Sequence, residues 1–283
     1  MKLLITGAGG MLGLDVTAAA RVAGHETVAL PRAELDITDA TAVAEAVAAA
    51  RPDAVINCAA YTNVDGAEAD EHIALAINGA GAGNVAAAAA EHGAFTVHVS
   101  TDYVFAGTAD EPYVESDRVA PASAYGRTKL AGEEAVAAAA SERHTVVRTA
   151  WLFGVGGPCF PGTILRLAAE RPELTVVADQ VGCPTFTGHL GPALVALAEN
   201  RGPAGVVHVA AGGSCSWHEF AREIVAAGGL ECDVRPVTTA EFPRPAPRPA
   251  WSVLVSERGP EVPRLAHWRE GLTEYMRLRE EQG

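Results

Sequence analysis

The sequence predicts an α/β protein built on a doubly wound parallel sheet, followed by a smaller C-terminal part. Three observations carry that expectation. Short β-branched runs alternate with alanine-rich helical runs through the first half of the chain, the order that strand–helix–strand units produce. The strand-like runs are apolar at odd and even positions alike, as in strands covered on both faces. Hydrophobic residues fill 49% of the 283 positions and charged residues 20%, enough apolar surface for a full core.

The first strand is expected at Leu3–Thr6. Thr6-Gly7-Ala8-Gly9-Gly10-Met11-Leu12-Gly13 follows and opens a helix over Met11–Ala23. Gly7, Gly10 and Gly13 have the spacing GxxGxxG, which allows a tight turn and lets a pyrophosphate approach the backbone at the helix N-terminus. Gly7, Gly10, Met11 and Leu12 are therefore candidate cofactor contacts. A glycine triplet also occurs in ordinary turns; its place between a strand and a helix favours a dinucleotide, and with it a Rossmann-like sheet.

The second strand, Thr27–Leu30, ends in Pro31-Arg32. No acidic side chain stands there to hold a ribose 2′-hydroxyl. Arg32 suits a 2′-phosphate, which favours NADPH over NADH, and suits plain solvent exposure equally well. Asp36 and Ile37, just beyond, are placed to contact the adenine. A helix over Asp39–Ala50, a strand over Ala54–Cys58, a helix over Glu71–His92 and a strand over Thr96–Ser100 continue the alternation.

Thr101 and Asp102 lie at the carboxyl edge of that strand, where open α/β sheets bind ligands. The Thr101 hydroxyl can hydrogen-bond a substrate oxygen, and Ser100 competes for the role by position. The helix Ala124–Ala140 carries Tyr125 and Lys129 at i and i+4, on one face. An ammonium beside a phenol favours the phenolate, which is expected to lower the tyrosine pKa and tune it for proton exchange with an alcohol oxygen. The pair alone could be an exposed helical surface. Together with the glycine turn and Thr101, it points to hydride-transfer chemistry.

The last strand of this part is expected at Thr145–Arg148, which places a boundary near residue 150. Prolines then become denser, and further strands are expected at Leu174–Ala178 and Val206–Ala210. Residues 243–249, with four prolines, can be neither helix nor central strand and read as an extended surface segment. Arg248 within it could pair with a diphosphate or stay solvated. Trp151, at a strand end, could stack on a flat base or cap the core. Trp268, Leu272, Tyr275 and Met276 have helical spacing and predict a docked terminal helix. His98 and His208 read as core histidines and Cys58 as a small buried residue.

Other classes are disfavoured. Lys+Arg total 21 and Asp+Glu 35, a net charge of −14, so nucleic acid is not bound through bulk charge. No run of about 18 apolar residues is found, and no membrane span is expected. The start of the chain lacks the form of a signal peptide. Five scattered cysteines without a CxxC pair suggest neither disulfides nor a metal site, and a reducing cytoplasm is expected.

The glycine turn, Ser-Thr-Asp-Tyr-Val-Phe at 100–105 and Tyr125-Gly126-Arg127-Thr128-Lys129 resemble the extended short-chain dehydrogenase/reductases, and within them the dTDP-4-dehydrorhamnose reductase family. Asn57-Cys58-Ala59-Ala60-Tyr61-Thr62-Asn63-Val64-Asp65, Arg148-Thr149-Ala150-Trp151 and Val177–Thr185 extend the likeness over essentially the whole chain. The resemblance implies an NAD(P)-binding Rossmann domain over residues 1–150 and a sugar-nucleotide-binding part over 151–283, interleaved with the first. It implies NADPH- or NADH-dependent reduction of the 4-keto group of a dTDP-linked 4-keto-6-deoxy sugar. Tyr125 would donate the proton, Lys129 would lower its pKa and hold the nicotinamide ribose, and Thr101 would orient the keto oxygen. Ala59, Ala60, Tyr61 and Thr62 would line the cofactor; Asp102, Val104 and Trp151 would border the sugar. A homodimer is a further expectation. The chain departs from the family pattern at Gly156-Gly157-Pro158-Cys159-Phe160 and at Trp251, both in the nucleotide–sugar half. Those departures leave room for a different deoxysugar. An epimerase or dehydratase that recycles its cofactor, and a non-catalytic regulatory subunit of the same fold, are the competing readings.

Overall fold

The computed structural model describes residues 1–282; Gly283, the last residue of the expected C-terminal part, lies outside them. Strands β1 (Lys2–Thr6), β2 (Glu26–Leu30), β3 (Ala54–Asn57), β4 (Phe95–Thr101) and β5 (His144–Thr149) match the five expected runs within two residues at either end. They alternate with α1 (Met11–Val22), α2 (Ala40–Ala50), α3 (Val64–Ala69), α4 (Glu71–Leu75), α5 (Ala82–Glu91) and α6 (Ala124–Ala140). The second half adds β6 (Leu152–Phe153), α7 (Phe160–Glu170), β7 (Glu173–Val177), β8 (Val181–Gly182), β9 (Thr185–Phe186), α8 (Thr187–Asn200) and β10 (Gly205–His208). It closes with β11 (Cys215–Ser216), α9 (Trp217–Ala227), β12 (Asp233–Val237) and α10 (Trp268–Gln282).

The main sheet runs β10-β5-β4-β3-β1-β2, and every neighbouring pair is parallel. The chain leaves β1 for β2 and returns to β3 on the other side, so a crevice opens where the strand order reverses. Alternate residues of each strand serve opposite faces. Leu3, Ile5 and Ile56 join Leu12, Val16, Leu190 and Leu194 of α1 and α8. Leu4 and Val55 join Val43, Val47 and Val85 of α2 and α5. Each such side chain, fully buried, contributes roughly 2 kcal/mol by removal from water.

β10 and α8 come late in sequence yet complete the main sheet and one of its helical faces. The remaining strands form small two-stranded sheets, β6 with β9, β7 with β12 and β8 with β11. Their core gathers Phe153, Phe186, Phe220 and Ile224 with Trp268, Leu272 and Tyr275, so α10 docks as its spacing predicts. A capping box between Ser216 and Glu219 starts α9.

Two expectations change. The helix expected over Glu71–His92 is broken by a π turn at Ala76–Gly81. Helix α6 crosses so closely there that a Cβ on Gly132 would stand 2.1 Å from the Asn78 carbonyl oxygen; wider winding makes room for that approach. The whole Glu71–Glu91 run is also long and apolar enough to cross a membrane by length and composition. In the fold it packs against α2, β3, β4 and α6.

Candidate active site

A cleft of about 910 Å³ opens along the carboxyl ends of β1, β3 and β4. Gly7, at the end of β1, has φ 67, and a Cβ there would lie 2.6 Å from the Ala59 nitrogen. A Cβ on Gly13 would lie 2.3 Å from the Gly7 carbonyl oxygen. The turn thus seats its bare backbone against the loop after β3, and α1 lies hard against the turn. Gly10 caps α1 without a side-chain hydrogen bond, leaving the first-turn N–H groups, including those of Met11 and Leu12, for a bound anion. This backbone suits a dinucleotide pyrophosphate.

The loop after β3 is braced from below. Thr6 Oγ1 donates to Asn57 Oδ1 at 2.7 Å, the Ala59 N–H donates to the same oxygen at 3.1 Å, and Asn57 Nδ2 meets His98 Nδ1 at 3.1 Å. Asn78, on the π turn, accepts from the Tyr61 N–H at 2.8 Å and donates to the Tyr61 carbonyl and to Thr128 Oγ1, both at 3.1 Å. Neither asparagine was apparent as functional in the sequence. A polar residue ending an apolar strand, and one beside glycines inside an apolar helix, were the available signals.

Thr101 ends β4 and is buried; its hydroxyl donates to Asp102 Oδ1 at 2.9 Å. That hydroxyl also stands beside the Tyr125 phenol and partly offsets the burial that pushes the phenol's pKa up. Burial pushes the Asp102 carboxyl up to about 6. Ser252 counters part of this, and Oδ2 is left without a hydrogen-bond partner. Tyr103 meets Tyr125 edge to face, centroids 5.5 Å apart. Lys129 is 2% exposed, and its Nζ donates to the Val99 carbonyl at 2.6 Å. Burial lowers its pKa to about 8, with Glu133 pulling the other way.

The expectation that Lys129 lowers the Tyr125 pKa is corrected here. Burial and the neighbouring Asp102 dominate and hold the phenol protonated, while the ammonium is turned to a backbone carbonyl of β4. Ser100, the rival to Thr101, is tied to Glu133 and committed to α6.

Gly7, Gly10, Met11, Leu12, Arg32, Asp36, Ile37, Ala59, Ala60, Thr101, Asp102, Tyr125, Lys129 and Trp151 all line this one cleft. Arg32 and Asp36 are exposed at its mouth; Asp36 accepts from the Thr38 N–H and hydroxyl, which lower its pKa. Three expected residues do not line the cleft. Tyr61 packs with Ala67, Ala74 and Ala124. Val104 is 0% exposed in an apolar cluster with Phe105, Tyr113 and Leu254, so it supports the wall rather than bordering the sugar. Arg248 pairs with Asp65 at 3.0 Å and donates to the Ala246 carbonyl at 3.2 Å. It holds the proline-rich segment onto α3, and that segment is only partly a surface one, since Ala246 is 1% exposed.

Trp151 takes φ 48 and stacks on Trp217, centroids 3.5 Å apart and planes 2° apart. A Cβ on Gly182 would lie 2.4 Å from the Trp151 ring. Trp217 lines the cleft but lies far from Trp151 in sequence, and no spacing rule pointed to it. A second cleft, about 800 Å³ along α7 and α10, holds none of the expected site residues.

Comparison with known proteins points to one family. The chain is 43% identical over 280 residues to the spore coat polysaccharide biosynthesis protein SpsK of Bacillus subtilis, covering 98% of both. It is 45% identical over 276 residues to the dTDP-4-dehydrorhamnose reductase of Mycolicibacterium smegmatis, covering 96% of this chain and 84% of the relative. The crystal structure of dTDP-4-dehydrorhamnose reductase from Bacillus anthracis in complex with NADP superposes with a TM-score of 0.94 at 38% identity, covering 98% of this chain and 99% of that one. The model of the RmlD substrate binding domain matches residues 1–280, and the chain belongs to that family.

Proposed function

We propose that this protein reduces the 4-keto group of a dTDP-linked 4-keto-6-deoxy sugar with NADPH or NADH, taking dTDP-4-dehydrorhamnose to dTDP-L-rhamnose. Relatives with 43–45% identity over most of both chains carry that activity in their names. The observation that carries the reading is the meeting of Thr101, Tyr125 and Lys129 in one cleft with the glycine turn.

When bound, the reduced nicotinamide supplies the hydride that reaches sugar C4. Tyr125 gives its phenolic proton to O4, so the C4 carbonyl becomes an alcohol. Burial and Asp102 keep that proton on the phenol until it is needed. The Thr101 hydroxyl would turn from Asp102 Oδ1 to donate to the keto oxygen and orient it. Lys129, one helical turn away, would hold the nicotinamide ribose. Gly7, Gly10, Met11 and Leu12 would seat the pyrophosphate. Arg32 at the mouth suits the 2′-phosphate of NADPH. Residues 1–150 carry the cofactor and most of the chemistry, and residues 151–283 the nucleotide sugar, with Asp102 and Trp151 at the boundary. All five cysteines are unpaired, which supports a reducing cytoplasm as the place of action.

The test is to mix the protein with NADPH and a panel of dTDP-4-keto-6-deoxy sugars and follow absorbance of the reduced cofactor. Oxidation with the rhamnose precursor is expected; none with any member of the panel overturns the reading.

A further inference from the structure

Helix α6 presents a third residue in the series begun by Tyr125 and Lys129. Glu133 follows Lys129 by four, on the same face, and is 5% exposed. Its carboxylate accepts from Ser100 Oγ at 2.5 Å, and from Arg148 Nε at 2.9 Å and Nη2 at 2.7 Å. Ser100 and Arg148 face each other across the ladder of β4 and β5. Each is followed directly by a residue that lines the cleft, Thr101 and Thr149. One carboxylate therefore ties α6 to both strand ends immediately beneath the site.

Stability alone does not call for charges here. Packed apolar residues often do as well as a buried ion pair, because desolvation offsets the attraction. The charges around Lys129 give the pair a different use. From the end of β3, Lys129 faces Cys58, a thiol that burial pushes up to about 12 and so keeps neutral. From β4 it faces the Val99 carbonyl and His98, which burial keeps neutral. From its own helix it has Tyr125 and Glu133, and Arg148 of β5 binds Glu133. Glu133 is the carboxylate whose charge acts on the ammonium.

We propose that Glu133 is a positioning residue for the reductase reaction: clamped by Arg148 and Ser100, its carboxylate balances the Lys129 ammonium and fixes Thr101 opposite Tyr125. This rests on the reductase reading, so its test includes a measurement that needs no sugar. NADPH affinity is followed by cofactor fluorescence across alkaline pH in the wild type, in Glu133→Gln and in Arg148→Met. In Glu133→Gln the midpoint at which affinity falls moves down by about one pH unit, because the ammonium loses its anion. In Arg148→Met it moves up, because Glu133 is left facing Lys129 alone. An unmoved midpoint in both variants, or a shift of both in one direction, overturns the proposal and leaves a purely structural pair. If these variants fail to fold, Ser100→Ala keeps both charges and removes only the tie to β4. Its kcat with the keto sugar is expected to fall several-fold at unchanged KM, and an unchanged kcat overturns the positioning of Thr101. Wild-type protein that binds NADPH but reduces no sugar would sink the reductase reading and leave the fluorescence test standing.

Discussion

The two ends of the cleft are built from different materials. At the cofactor end, bare glycine backbone and strand ends are locked by buried polar groups: Asn57, Asn78 and the Glu133–Arg148 pair. At the end proposed for the sugar, the indoles of Trp151 and Trp217 stack on each other, and the Arg248–Asp65 ion pair holds the proline-rich segment onto α3. Chemistry that is common to many reductases requires fixed geometry, and a buried hydrogen-bonded network supplies it. Discrimination among sugars requires shaped apolar surface, which side chains from distant parts of the chain supply. Changes at the first end should therefore alter kcat or cofactor affinity, and changes at the second should alter KM for the sugar nucleotide.

The largest effect should come from Tyr125→Phe, which removes the proposed proton donor. Turnover is expected to fall by about 10²–10⁴, with NADPH affinity by fluorescence nearly unchanged. Next is Gly7→Ala. The new methyl group has no room against Ala59 and the φ of 67 is strained, so cofactor affinity should fall at least about tenfold, with about 1–3 kcal/mol lost from folding stability in denaturant titration. Trp217→Ala should raise KM for the sugar nucleotide by roughly 2–10-fold, the size of one aromatic pair, and leave NADPH affinity alone. An equal loss of both affinities would erase the distinction between the two ends. The smallest effect is expected from Arg248→Ala, about 1 kcal/mol of stability or less, matched by Asp65→Ala. A KM increase above about tenfold in Arg248→Ala alone would return Arg248 to the diphosphate.

Activity should also decline as pH rises through the Lys129 pKa of about 8, since the ammonium discharges there. The same shift has a stability sign. Because burial lowers the pKa below its unfolded value, charged Lys129 destabilises the fold below about pH 8. That penalty fades between pH 8 and the ordinary lysine value of 10.5.

What could be read from the sequence was local. The five strands, α1, and α6 with both ends at Ala124 and Ala140 follow from periodicity and alanine content. Thr101, Tyr125 and Lys129 come together because strand ends and helix faces converge by the rules of the fold. What escaped depends on partners remote in the chain. The π turn at Asn78 reflects the close crossing of α6 at Gly132. Val104 sits in a motif that points to the sugar, but its side chain turns into the core. Arg248 looked free because Asp65, which claims it, lies 183 positions earlier. The effect of Lys129 on Tyr125 was misjudged because helical spacing gives proximity, whereas burial and Asp102 set the ionisation.

The central claim is net hydride transfer to a keto sugar in this cleft. It is tested most directly with NADPH carrying deuterium at the transferable position and dTDP-4-dehydrorhamnose, the product being read by NMR. One deuterium at sugar C4 for each cofactor oxidised is the predicted result. Cofactor that keeps its label, or a product whose C4 bears hydrogen from solvent, would contradict it.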